Sequence, residues 1–93
     1  MDLKELRGRI DRIDDELVRL FAERMEVAAE VAAYKKEKGL PVLDVSREKA
    51  KLQDVMGKAP EGLQEYTASL YSRIFELSRE HQRSLLDGGE VTK

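Results

Sequence analysis

The sequence predicts an all-α chain of three helices: a long first helix, a short second and a third of medium length. Three observations predict this. Apolar residues recur at alternating helical steps of three and four rather than at the strand period of two. Helix-breaking residues cluster at two places, around Gly39-Leu40-Pro41 and from Gly57 to Gly62. Charged residues make up 39% of the chain and aromatics 5%, with no Trp, a balance that suits helical bundles better than sheets.

The first helix is expected from about Leu3 to Lys38. Asp2 is a suitable N-cap, with Gly39 just past the end and Pro41 beyond it. Its seam reads Leu6, Ile10, Ile13, Leu17, Leu20, then Val27, Val31 and Tyr34. Gly8 weakens the first turns by about 1 kcal/mol relative to Ala, a cost the sequence does not account for. Such a helix is roughly 54 Å long, whereas a compact domain of this size is only about 30–35 Å across. One chain cannot cover a seam of that length, so a homodimer is expected.

Leu40-Pro41-Val42-Leu43 reads as a short extended connection. Asp44 then caps a second helix from about Val45 to Met56, whose stripe is Leu52, Val55, Met56 and Ala59. Four residues back, that stripe lands on Glu48. A third helix is expected from about Leu63 to Leu86, with Leu63, Tyr66, Leu70, Ile74, Leu77 and His81 as its stripe and with Ser78 and Gln82 on its edge. Residues 1–86 form one domain on this reading, and the Gly-rich polar stretch 87–93 is expected to be a disordered tail.

The helix-1 seam has one misplaced member. Between Leu20 and Val27 the series calls for an apolar residue, and Arg24 stands there. A guanidinium on a buried stripe is costly unless something anionic or strongly accepting meets it. Lys35, 11 residues further on, points within about 20° of Arg24 and lies about 16 Å along the axis. Two long cations thus look along one face. Lys38 also falls within about 40° of that direction. A structural role is open too: Arg24 can pair with a nearby Glu or carry its charge out of the seam. Arg7 lies about 25 Å from Arg24 along the axis and is rotated by about 100°. It cannot join a site framed by Arg24 and Lys35 on its own helix.

Composition narrows the chemistry. A net charge of −2 and a pI near 5.5 argue against a nucleic acid or membrane partner held by overall charge. With no Cys and one His, His81, disulfides, thiol nucleophiles, Ser-His-Asp arrangements and most zinc sites drop out. No apolar run approaches the length of a membrane span, and the N-terminus lacks the hydrophobic stretch of a signal peptide, so a cytoplasmic location is expected.

The ordered segments LRGRIDRIDDELVRLFAERMEVAAEVAAYK and GLPVLDVSREK resemble the all-helical class of chorismate mutase. The shared features are an Arg early in helix 1, the L-x-x-E-R around Arg24, a Lys 11 residues later and a G-x-P-V-x-D-x-x-R-E linker. The resemblance runs over about residues 3–86. It implies an intertwined homodimer of three-helix chains with two active sites, and it assigns the substrate-binding positions to Arg7, Arg24, Lys35, Asp44, Arg47, Glu48, Ser78 and Gln82. By that assignment Arg7, supplied in trans, and Arg24 grip the two carboxylates of chorismate, supported by Arg47 and Ser78. Lys35 and Gln82 donate to the breaking ether oxygen. Glu48 and the backbone near Asp44 hold the ring hydroxyl. The connection between helices 2 and 3 looks short for the family, which puts the presentation of Gln82 in question. Enzymes of this kind are often fused to other domains of the shikimate pathway, so a fusion or association is a further expectation.

The reaction implied is the pericyclic rearrangement of chorismate to prephenate, which requires no nucleophile, metal or cofactor. A protein can favour it by holding a near-attack conformer and by stabilising charge on the ether oxygen. Two other readings stand beside it. Isochorismate-pyruvate lyase shares the fold and the Arg/Lys framework, but Glu48 after Arg47 suits the chorismate hydroxyl. A non-enzymatic dimeric interaction module would use Arg24 and Glu48 as a buried pair that fixes register.

Overall fold

The computed structural model describes residues 2–87, and contains α1 (Leu3–Lys38), α2 (Val45–Lys58) and α3 (Gln64–Leu86). The fold is all-α, as the periodicity predicts. Met1 and, apart from Asp87, the tail expected at 87–93 lie outside the described residues.

Capping chemistry sets the bounds of α1. The Asp2 carboxylate accepts from the Glu5 backbone N–H at 2.9 Å, and the Glu5 carboxylate accepts from the Asp2 N–H at 3.1 Å, a reciprocal capping box. At the other end Gly39 adopts φ 70°, ψ 28°, a left-handed conformation that a Cβ disfavours. The Leu40 N–H then closes on the Lys35 carbonyl at 2.8 Å. Asp44 caps α2 by accepting from the Arg47 N–H at 3.0 Å. This helix runs past the expected end at Met56, because Gly57 and Lys58 stay helical until Pro60 approaches. Leu63 stands at the N-terminus of α3 without a side-chain cap, and the Thr67 hydroxyl donates back to its carbonyl at 2.9 Å.

Both α1 and α2 pack on α3, and among the described residues they do not pack on each other. The contact on α1 is confined to its C-terminal half, where Ala28 and Ala32 are buried. Small side chains there let α3 come close. This contact leaves the apolar members of the predicted seam open: Leu6, Ile10, Ile13, Leu17, Leu20, Val27, Val31 and Tyr34 are all exposed within the chain. The face of α3 that is buried also differs from the expected stripe. Phe75, Ser78 and Gln82 are buried, with Tyr71 beside them half-buried, while Leu63, Tyr66 and Leu70 stay exposed. The helix has two usable faces, and only one meets α1 and α2 of the same chain.

The resulting chain is elongated, 53 × 33 × 17 Å with a radius of gyration of 16.4 Å. A compact domain of this length has a radius of about 12 Å. No helix among the described residues is long and apolar enough to cross a membrane.

Candidate active site

The C-terminal half of α1, the 39–44 connection, the start of α2 and the second half of α3 enclose a cavity of about 320 Å³. That is the lower end of the range for small-molecule sites, about 300–1,000 Å³. Seven of the eight sequence-predicted positions line it: Arg24, Lys35, Asp44, Arg47, Glu48, Ser78 and Gln82. Arg7 does not. It lies exposed on the N-terminal part of α1, as its angle and rise relative to Arg24 require.

The cations of this cavity divide into two kinds. Lys51 is occupied by Asp54 at 3.1 Å, and its hydrogen bond, followed by that of Lys58, holds the Asp54 carboxyl below the usual carboxylate range. Arg79 is occupied by Glu48. Arg24, Lys35 and Arg47 have no carboxylate at ion-pair distance among the described residues. The Arg24 guanidinium carbon instead lies 5.8 Å from the centre of the Tyr71 ring and 5.9 Å from that of Phe75. The two rings meet edge to face, with centroids 6.0 Å apart. Ring faces stabilise a cation by about 0.5–2 kcal/mol without neutralising it. Arg24 is therefore held in place with its charge still available.

Lys35 is anchored by the backbone: its Nζ donates to the Val42 carbonyl at 2.7 Å. Lys38 turns away and places its ammonium 5.8 Å from the Tyr34 ring centre. Of the two lysines near the Arg24 direction, only Lys35 reaches the cavity. Asp44 Oδ1 is engaged in capping α2. Arg47 is exposed at the cavity edge, and His81 is half-buried and outside its lining.

On α3, Ser78 and Gln82 are 8% and 7% exposed and bonded to each other, Gln82 Nε2 to Ser78 Oγ at 3.0 Å. Gln82 Oε1 is buried without a partner, which is costly for an acceptor. A Ser hydroxyl donates as readily as it accepts, and the two ends of an amide are nearly isosteric. Turning the amide over lets Ser78 donate to Oε1 and puts the two N–H donors in place of the stranded oxygen. The five-residue connection 59–63 leaves both residues on the cavity wall.

The Arg24–Glu48 pair of the interaction-module alternative does not form within the chain among the described residues. Both Glu48 carboxylate oxygens instead accept from Arg79 Nη1 at 2.6 Å. Arg79 was missed because an Arg beside Glu80 on a heavily charged helix reads as solvated, and its partner lies 31 residues away. Its position next to Ser78 and three before Gln82 was the available signal.

Comparison with known proteins places the chain in a family. The description chorismate mutase type II matches residues 6–83. The chorismate mutase of Methanocaldococcus jannaschii is 32% identical over 83 residues, covering 89% of this chain and 82% of that one. A T-protein of Haemophilus influenzae is 47% identical over 51 residues, covering 55% of this chain. The chain spans 14% of that T-protein and 22% of a matched bifunctional chorismate mutase/prephenate dehydratase. Among solved structures, form II of the Thermus thermophilus chorismate mutase superposes with a TM-score of 0.84 at 29% identity, over 87% of this chain and 93% of that one. A cavity offering three carboxylate-free cations, on a three-helix chain with these relatives, has one consistent assignment: the chain belongs to the type II chorismate mutase family.

Proposed function

We propose that this chain acts as a homodimeric chorismate mutase of phenylalanine and tyrosine biosynthesis, with two sites built across the two subunits. The observation that carries the reading is the trio Arg24, Lys35 and Arg47 around one small cavity, each without a carboxylate partner among the described residues. A dianionic substrate supplies what they lack.

Within that cavity Arg24 and Arg47 bind carboxylate, with Ser78 supporting that end. Arg7 of the partner subunit completes the grip. Glu48 accepts from the ring hydroxyl near the Asp44 backbone. Lys35 and Gln82 face the ether oxygen. The reaction breaks one C–O bond and forms one C–C bond inside a single molecule, so no proton has to be moved. Bound through both carboxylates, the enolpyruvyl arm is held over the ring close to the attack geometry, which removes most of the entropic part of the barrier. As C–O cleavage runs ahead of C–C formation, negative charge grows on the ether oxygen. The Lys35 ammonium and the Gln82 amide meet that charge with donors already oriented.

The dimer rests on the α1 seam, which stays exposed among the described residues of the chain. Such a row of eight apolar side chains favours association with a second copy. The relatives with additional domains support a further feature, operation joined to or alongside an enzyme that acts on prephenate.

The test is loss of chorismate followed by ultraviolet absorbance, with isochorismate offered in parallel. Prephenate formed without added cofactor is the expected result. Pyruvate released from isochorismate alone would instead mark a lyase. Failure to act on either substrate, together with no binding of a dicarboxylate transition-state mimic, would leave an interaction module.

A further inference from the structure

We propose that Arg79 is a positioning residue that keeps Glu48 off the substrate-binding cations. The inference rests on the mutase reading of the cavity. Arg79 Nη1 holds both Glu48 oxygens at 2.6 Å, with the two side chains only 22% and 26% exposed. The pair ties α2 to α3. Glu48 and Arg79, together with Phe75, also line a second cavity of about 390 Å³ between α2 and α3. The ion pair thus borders both the substrate cavity and this second space.

Glu48 needs such a restraint. It shares the substrate cavity with Arg24, Lys35, Arg47 and Lys51, and Lys51 is its i+3 neighbour on α2, within reach along the helix surface. A flexible carboxylate among four cations would settle on one of them. There it would occupy a place meant for a substrate carboxylate. Arg79 attracts it from the opposite wall, so the anion site stays open and Glu48 stays where a hydroxyl can donate to it. Because the contact is charge-assisted and takes both oxygens, it fixes the direction of the carboxylate as well as its position.

The role predicts a signature in kinetics. Without Arg79, Glu48 competes with the substrate's carboxylates, so the loss falls mainly on KM. Without Glu48 there is no competitor, and Arg79 becomes dispensable. The experiment is a double-mutant cycle of Arg79→Gln and Glu48→Gln in the full chain, read by kcat and KM for chorismate and by calorimetric affinity for a bicyclic dicarboxylate mimic. Arg79→Gln alone should raise KM about tenfold, within the range for coupled neighbours. In the Glu48→Gln background it should cost less than about twofold. Arg79→Lys, which restores a cation on a shorter reach, should recover part of the loss and covers the case of Arg79→Gln failing to fold. Equal losses in both backgrounds would overturn the proposal and make Arg79 a direct substrate ligand. A fall in kcat at unchanged KM, or no rescue by Lys in a folded protein, would overturn it as well. If the wild type does not act on chorismate yet binds the mimic, the mutase reading fails while the binding cycle still decides the role of Arg79. If it does neither, both fall.

Discussion

The two halves of α1 share one helix and one seam, yet they stand in different surroundings. In the C-terminal half Ala28 and Ala32 are 7% and 1% exposed against α3, and Arg24 and Lys35 enter the cavity. In the N-terminal half every residue from Arg9 to Glu23 is exposed, Ile13 by 57% and Leu17 by 55%. The helix is equally regular in both, so propensity and capping do not distinguish them. What differs is the contact each half makes within the chain. The C-terminal half meets α3 of its own chain through Ala28 and Ala32, while Val27, Val31 and Tyr34 stay exposed; on the proposed reading the open seam and Arg7 face a second copy.

The strongest way to break this comparison is to charge the uncovered half. Leu17→Glu places a carboxylate in the middle of the seam, where an unpaired charge costs several kcal/mol once a partner buries it. We expect loss of the dimer in analytical ultracentrifugation and loss of activity with it. A fully active variant that sediments like the wild type would show that the seam covers nothing.

Next in size is a test that sets one half against the other. On the proposed reading Lys35→Ala removes a donor to the ether oxygen and should lower kcat by about a hundredfold to a thousandfold. Arg7→Ala should also be severely impaired. Mixed and allowed to exchange subunits, the two dead variants should recover about a quarter of wild-type activity, because half the dimers are then mixed and each has one intact site. No recovery after verified exchange would place Arg7 in the same site as its own Lys35, or in none.

A smaller effect, sharpened by pH, tests the α3 wall. Gln82→Glu keeps shape but donates only when protonated, and burial favours the protonated form. The variant should be poor at pH 7.5 and should recover towards pH 5, whereas Gln82→Ala should be poor throughout. A Glu variant with the wild-type pH profile would mean that residue 82 never meets the reacting oxygen.

The smallest effect lies outside both halves of α1. Gly57 is helical near the end of α2, and a Cβ there meets nothing within 4 Å. Gly57→Ala should stabilise by about 0.5–1 kcal/mol and raise the melting temperature by about 2–8 °C, with kcat unchanged.

How far the sequence could be read depended on what each feature rests on. Both ends of α1 were legible because Asp2 and Gly39 act through local chemistry that depends only on near neighbours. The cavity-facing direction shared by Arg24 and Lys35 was legible because helical angle is arithmetic. The inner face of α3 was legible only through the resemblance, which put Ser78 and Gln82 at the site, and not through periodicity. Two rows of side chains compete for burial there, and only tertiary packing assigns Phe75, Ser78 and Gln82 to the inside and leaves Leu63, Tyr66 and Leu70 out. The Glu48–Arg79 pair was illegible for a related reason: neither residue is unusual alone, and what matters is the distance between two helices. The rings around Arg24 follow the same logic. Periodicity marked the residue as anomalous, but it could not say that Tyr71 and Phe75, rather than a carboxylate, would meet it.

The bond from Lys35 to the Val42 carbonyl carries a consequence for tolerance to change. Its acceptor is a main-chain oxygen, which every amino acid provides. A swap such as Val42→Ile therefore leaves the anchor of the ammonium intact so long as the 39–44 path is kept. A substitution scan would then score position 42 as permissive although its carbonyl orients the Lys35 ammonium. Sensitivity should appear instead where the path of the chain is set, at Gly39, whose positive φ resists a side chain, and at Pro41. The dependence of this site on its connecting segment is written in backbone geometry, and side-chain identity alone does not reveal it.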